Sequence, residues 1–178
     1  MMQDILDKAA KIKLLVFDVD GVLTDGSLII GDAGEEYKAF YSKDGLGMKM
    51  LQQTGVQIAV ITARRSNVVL HRMQSLGIKH IYQGQSDKLP AFKQILNELN
   101  LSTEQAAYVG DDVIDLPVLL QAGLAITVQD AHPLAKQHAH WQTPQCGGRG
   151  AARDVCELIM QAQGTLEAQF QKYLGSDL

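Results

Sequence analysis

Apolar runs punctuate the chain at LLVFDVD (14–20), QIAVIT (57–62), HIYQG (80–84), AAYVGD (106–111) and LAITV (124–128). Each is nearly continuous rather than alternating, the pattern of strands covered on both faces in a parallel sheet. Between them lie stretches with helical spacing, GLGMKMLQQTG, SNVVLHRMQSLG, KLPAFKQILNELN and VIDLPVLLQAG, several closing on Gly or Asn, which stop helices. Strands alternating with helices predict an α/β domain with a doubly wound parallel sheet and right-handed crossovers. One stretch breaks the rhythm: SLIIGDAGEEYKAFY (27–41) has two strand-like runs about a GDAG turn and predicts an inserted β-hairpin. Past GGRGA (147–151), a helix through Gln163 and an amphipathic stretch, TLEAQFQKYL, are expected to form a C-terminal tail over 147–178. No repeat, low-complexity tract or linker divides the 178 residues, so a single domain over 1–178 without a large cap is expected.

Composition narrows the function classes. With 46% hydrophobic and 20% charged residues the chain can build one substantial core. A net charge of -4 argues against a nucleic-acid partner, which needs clustered Lys and Arg. Cys146 and Cys156 have neither zinc-site spacing nor a disulfide framework and read as structural thiols of a reducing compartment. The N-terminal stretch lacks a signal-peptide core, and no apolar run approaches the ~18 residues of a membrane span. A cytoplasmic protein without a membrane partner is expected.

The chemistry gathers at the ends of the apolar runs. In an open parallel sheet, ligands bind beyond the carboxyl ends of the strands, where strand order reverses. Asp18 and Asp20 end the first run, Thr62 the second with Arg64 just beyond, and GDDVID supplies Asp111, Asp112 and Asp115 after the fourth. Alternation puts Asp18 and Asp20 on one side, where Asp111 can join them. Carboxylates so grouped repel unless a cation sits between them, and an all-oxygen site of this kind suits Mg²⁺. Lys88, which alone would read as a surface lysine, falls where its ammonium and the Thr62 hydroxyl can hold a phosphate. A metal, a phosphate cation and an in-line carboxylate are the parts of phosphoryl transfer through an aspartyl-phosphate.

DVDGVLTDG, ITAR, Lys88 and GDDVID, in that order, resemble the four motifs of the haloacid dehalogenase superfamily of phosphohydrolases. The likeness extends over almost the whole chain, through KDGLGMKML, LGIKHIYQGQSDK, YVGDDVIDLPVL and GGRGA, to members that dephosphorylate a sugar acid phosphate in lipopolysaccharide precursor synthesis. The resemblance implies Asp18 as nucleophile and Asp20 as general acid and base. It implies Mg²⁺ held by the Asp18 carboxylate, the Asp20 carbonyl and Asp111, with Asp112 or Asp115 acting on metal-bound water or orienting Lys88. Thr62 and Lys88 would bind the phosphate. Ala63 stands where the family often has Gly, which is tolerable if its backbone is not at positive φ. The resemblance also implies a homotetramer in which the hairpin closes over a neighbouring subunit's site.

Substrate recognition rests on arginine chemistry. The guanidinium fork matches a sugar-acid carboxylate, making Arg64, Arg72 and Arg149 candidates, with Arg72 best placed by the likeness. Asp44 reads either as a helix N-cap or as a substrate contact. His132, His138 and His140 fall on a polar helix and its exit and read as exposed rather than as ligands. Two alternatives stay open: a phosphatase for another sugar acid, such as a nonulosonate 9-phosphate, and a receiver-like phospho-switch module. Asp20 separates the switch from the enzyme, because a second carboxylate two residues after the nucleophile speeds hydrolysis, whereas a switch needs a lasting phosphoaspartate.

Overall fold

A computed structural model describes residues 2–174. Helix α1 (Met2–Ala9) precedes strand β1 (Leu14–Phe17); β2 (Ile29–Ile30), β3 (Glu36–Tyr37), α2 (Ser42–Gln52), β4 (Gln57–Ile61), α3 (Asn67–Ser75) and β5 (His80–Tyr82) follow. Next come α4 (Leu89–Glu98), β6 (Ala106–Gly110), α5 (Leu116–Leu119), β7 (Leu124–Thr127), α6 (Pro133–His138), β8 (Trp141–Gln142), α7 (Ala151–Ala162) and α8 (Leu166–Leu174). Six strands form one sheet in the order β5-β4-β1-β6-β7-β8, and every pairing is parallel. The chain leaves β1 toward β4 and β5, then returns to β6 on the other side, so strand order reverses beside β1. That reversal opens a crevice at the carboxyl ends of β1 and β6.

Four of the five apolar runs are buried on both faces as their composition demands, whereas HIYQG, the edge strand β5, is only partly buried. Leu15 and Phe17 of β1 face a core completed by α1, α2, α3 and α7, whereas Leu14 and Val16 face one completed by α4, α5 and α6. Burying such side chains contributes about 1.5–3 kcal/mol each. The second face is anchored by Phe92 of α4, set edge-on to Tyr108 of β6 with ring centroids 6.3 Å apart.

Strand β2 pairs antiparallel with β3 to make the expected hairpin between β1 and α2, and no larger cap interrupts the described residues. Besides α1, which no sequence pattern marked, two elements differ from the expectation. β8 was hidden because Trp141–Gln142 offers no apolar run, and it gains its place by pairing with β7. VIDLPVLLQAG forms a 3-10 turn over Val113–Asp115 and only a short α5, with Pro117 in its first turn. The tail helices α7 and α8 form as expected; 175–178 lie outside the described residues.

Candidate active site

β1 delivers Asp18 to the crevice. The parallel ladder continues one residue past the strand, the Asp18 amide donating to the Val109 carbonyl at 3.0 Å, so its position is fixed by backbone. The loop after it is folded tightly: the amides of Leu23 and Thr24 both donate to the Val19 carbonyl, and the Thr24 hydroxyl accepts from the amides of Gly21 and Gly26. Gly21 has φ +93°, and a Cβ there would lie 2.0 Å from Asp111 Oδ2. Only glycine lets the first loop approach the carboxylate after β6 so closely.

Lys88, at the start of α4, is 2% exposed, a burial that demands compensation. Its ammonium lies 2.8 Å from Asp18 Oδ1 and 2.6 Å from Asp115 Oδ1. Asp115 is fully buried; its Oδ1 also accepts from the Tyr108 hydroxyl at 2.6 Å, and its Oδ2 from the amides of Asp111 and Asp112 at 3.0 and 3.2 Å. Four donors occupy the two oxygens of Asp115, which therefore fixes Lys88 and the loop after β6. Asp112 accepts from the Val113 amide and caps the 3-10 turn, so of the two supporting aspartates it is Asp115 that orients Lys88.

One carboxylate oxygen each from Asp18, Asp111 and Asp115 lies within 4.8 Å of the other two. Burial pushes Asp18 up to about 7, with the charge of Asp115 adding to the shift and that of Lys88 opposing it. Burial, then the charges of Asp18 and Asp115, push Asp111 up to about 8. Both carboxyl groups thus hold their protons more tightly than in water, chiefly because they are buried, an environment that a hard divalent cation relieves. With Asp115 saturated by its donors, Asp18 and Asp111 are the side chains with coordinating capacity to spare. The Asp20 carboxylate, expected to act as acid and base while its backbone carbonyl serves the metal, lies outside this group and pairs with Lys38.

Asp18, Asp20, Thr62, Ala63, Arg64, Lys88, Asp111 and Asp112 line one pocket of about 150 Å³. Thr62 is 2% exposed and its hydroxyl accepts from the Arg64 amide at 3.3 Å. Ala63 is not at positive φ, so the departure from Gly carries no backbone strain. The three candidate arginines separate. Arg64 reaches the rim and pairs with Glu36 at 3.0 Å. Arg72 does not line the pocket: its guanidinium packs on the Phe40 ring and against Gly45, leaving Nε buried without a hydrogen-bond partner. Arg149 is also outside it, exposed and paired with Asp25 at 3.2 Å, because the glycine-rich loop is pressed against the loop after β1. Gly148 donates to the Val22 carbonyl there, and a Cβ on Gly147 would lie 1.7 Å from the Gly21 oxygen.

Asp44 caps a helix, but not its own: from the first turn of α2 its carboxylate accepts from the Arg153 amide at 2.9 Å, at the start of α7, and burial pushes it up to about 6. His132 caps α6, and His140 accepts from the Ala125 amide, so neither is free to ligate through Nδ1. Sequence reasoning missed Tyr108 and Lys38. Tyr108 sits within an apolar run, and Lys38 lies outside every motif, on a hairpin whose tertiary partner only the fold supplies.

A parallel sheet with an acidic crevice at its point of reversal, faced by a buried lysine, defines a haloacid dehalogenase-like hydrolase, the family whose pattern matches residues 77–152. Over 164 residues, 92% of this chain and 88% of the relative, it is 50% identical to the 3-deoxy-D-manno-octulosonate 8-phosphate phosphatase of Yersinia pestis. The crystal structure of the Moraxella catarrhalis enzyme of that name, in complex with magnesium ion, phosphate ion and KDO, superposes with a TM-score of 0.96 at 42% identity, covering 97% of this chain and 99% of that one. The cobalt-bound Haemophilus influenzae phosphatase superposes with a TM-score of 0.90 at 37% identity, covering 94% and 99%. The chain belongs to the 3-deoxy-D-manno-octulosonate 8-phosphate phosphatase family.

Proposed function

We propose that the chain hydrolyses 3-deoxy-D-manno-octulosonate 8-phosphate to the free sugar acid and inorganic phosphate, serving lipopolysaccharide precursor synthesis. The observation that carries the chemistry is the convergence of Asp18, Asp111 and the buried Lys88 on one pocket. The substrate follows from relatives matched over nearly the full chain.

In this reading Asp18 is the nucleophile: its carboxylate oxygen attacks phosphorus, the bond to the sugar oxygen breaks, and Asp20 gives that oxygen its proton. Asp20 then takes a proton from water attacking the phosphoaspartate, releasing phosphate and restoring both carboxyl groups. Lys88, held by Asp115, and the Thr62 hydroxyl bind phosphate oxygens. Asp18, Asp111 and the Asp20 carbonyl would hold Mg²⁺, which when bound neutralises charge on the transferring phosphoryl group.

A pocket of about 150 Å³ is well below the roughly 300–1,000 Å³ of small-molecule sites, so it suits the phosphoryl group and leaves the sugar at the rim. Arg64 is the arginine at that rim and the nearest candidate for the sugar-acid carboxylate. Enclosure of the sugar fits a homotetramer in which a neighbour's hairpin covers the mouth. In support, Leu28, Ile29, Ile30 and Tyr37 are each half or more exposed on that hairpin. A cytoplasmic setting agrees with the free thiols of Cys146 and Cys156 and with the described helices, none long and apolar enough to cross a membrane.

The test is phosphate release from 3-deoxy-D-manno-octulosonate 8-phosphate, a nonulosonate 9-phosphate and neutral-sugar phosphates, with Mg²⁺ and with chelator. The octulosonate should be preferred, chelator should stop release, and Asp18→Asn should be folded and inactive. Preference for a sugar lacking a carboxylate would reject the substrate, and an active Asp18→Asn variant would reject the mechanism.

A further inference from the structure

Among the described residues the Asp20 carboxylate has one side-chain partner, the Lys38 ammonium. Lys38 stands just past β3, and its side chain is 1% exposed although the hairpin around it is largely open. Alternation along β3 points Glu36 and Lys38 to one side, toward the crevice, and Tyr37 to the other. The buried ammonium is shared: it pairs with Asp20 and lies 3.2 Å from Glu36 Oε1, which also accepts from Arg64 Nη2 at 3.0 Å. A chain of alternating charge therefore runs from the hairpin across the rim to Asp20. A lysine already committed to two carboxylates is poorly placed to serve as a substrate cation, and well placed to hold a carboxylate still.

Proton transfer requires donor and acceptor within about 2.6–3.2 Å. Asp20 sits on a loop, and an unrestrained side chain there samples several rotamers. We infer that Lys38 is a positioning residue for Asp20, which makes the hairpin part of the acid-base apparatus as well as a cover. The inference rests on the proposed role of Asp20.

The experiment compares Lys38→Met, Lys38→Arg, Asp20→Ala and the double variant Lys38→Met/Asp20→Ala with the parent. kcat and KM are measured on 3-deoxy-D-manno-octulosonate 8-phosphate, together with unfolding temperature and oligomeric state. p-Nitrophenyl phosphate, whose leaving group needs no protonation, relieves the Asp20 variants of the first proton transfer, and the burst of p-nitrophenolate reads that step apart from hydrolysis of the phosphoaspartate. Lys38→Met should lower kcat by about tenfold or more while KM stays within about threefold, a split that marks loss of a transition-state contribution. Lys38→Arg should restore part of the loss with the same oligomeric state. In the Asp20→Ala background the Lys38 change should alter the rate by less than about twofold, because its target is gone. The inference is overturned by an unchanged kcat in Lys38→Met, by a raised KM at constant kcat, or by losses that multiply in the double variant. Failure of the underlying reading looks different: Asp20→Ala would itself retain the parent's kcat on the sugar phosphate.

Discussion

Asp18 and Asp111 are the residues whose chemistry most depends on a ligand. Each binds its proton more tightly in the fold than in the open chain, where the ordinary value is 3.8. The stability that this proton binding supplies without metal is therefore full below about pH 4 and is lost as pH rises through about 7 and 8. Mg²⁺ held by these two carboxylates would replace those protons, so it should raise the unfolding temperature more at about pH 8 than at about pH 5.5. Asp111→Asn should unfold at a higher temperature than the parent in chelator at about pH 8, and should lose most of the response to Mg²⁺. Equal Mg²⁺ shifts at both pH values in the parent, measured by scanning fluorimetry, would contradict this electrostatic account.

The same residues show what was legible in the sequence. Asp18, Asp20 and Asp111 were legible through the four-part arrangement, because a single aspartate at a strand end is a common turn or capping residue. Lys88 was legible only through its spacing from the other motifs, and its burial between Asp18 and Asp115 appears only in three dimensions. Arg72 shows the opposite case. Guanidinium chemistry and likeness to the family suggested the substrate, whereas within this chain its guanidinium packs on Phe40 and against Gly45, outside the pocket.

At the scale of elements, the crevice depends on close approach of backbones. The loop after β1 is trapped between the carboxylate after β6 and the glycine-rich loop before α7, with Gly21 touching both sides. Gly147→Ala should cost more than about 2 kcal/mol and lower Mg²⁺ affinity with it, since its Cβ would displace the loop that carries the Asp20 carbonyl and lies against Asp111. Urea unfolding and calorimetric Mg²⁺ titration of the same variant would check both effects; unchanged affinity would mean that the glycine-rich loop serves stability alone. Strands with two buried faces were readable because each must be apolar throughout. β8 was not, since a two-residue edge strand is specified by its neighbour β7 rather than by its own composition. The cap on α7 was equally hidden: the helix starts at a glycine, and its capping carboxylate, Asp44, arrives from α2.

For the whole molecule, the inserted hairpin sets the outstanding problem. It exposes Leu28, Ile29, Ile30 and Tyr37, while the pocket beneath accommodates little beyond a phosphoryl group. Covering the first and enclosing the second are solved together if copies of the chain associate through the hairpin. Ile30→Asp should then shift the species seen by light scattering to a smaller one and raise KM for the sugar phosphate. An unchanged assembly with unchanged KM would leave the hairpin's apolar surface without this role. The two-sided sheet and the hairpin's existence were legible in the chain, whereas the seating of Lys38 on Asp20 was not, because it joins residues from separate elements.

The central claim is that Asp18, beside Lys88 and a cation-binding carboxylate, becomes covalently phosphorylated. The most direct measurement is rapid acid quench of the enzyme turning over phosphate-labelled substrate with Mg²⁺, followed by peptide mapping. The label should appear within one turnover on the peptide carrying Asp18, should be released by hydroxylamine, and should be absent from Asp18→Asn. Label on any other peptide, or steady turnover by Asp18→Asn, would contradict it.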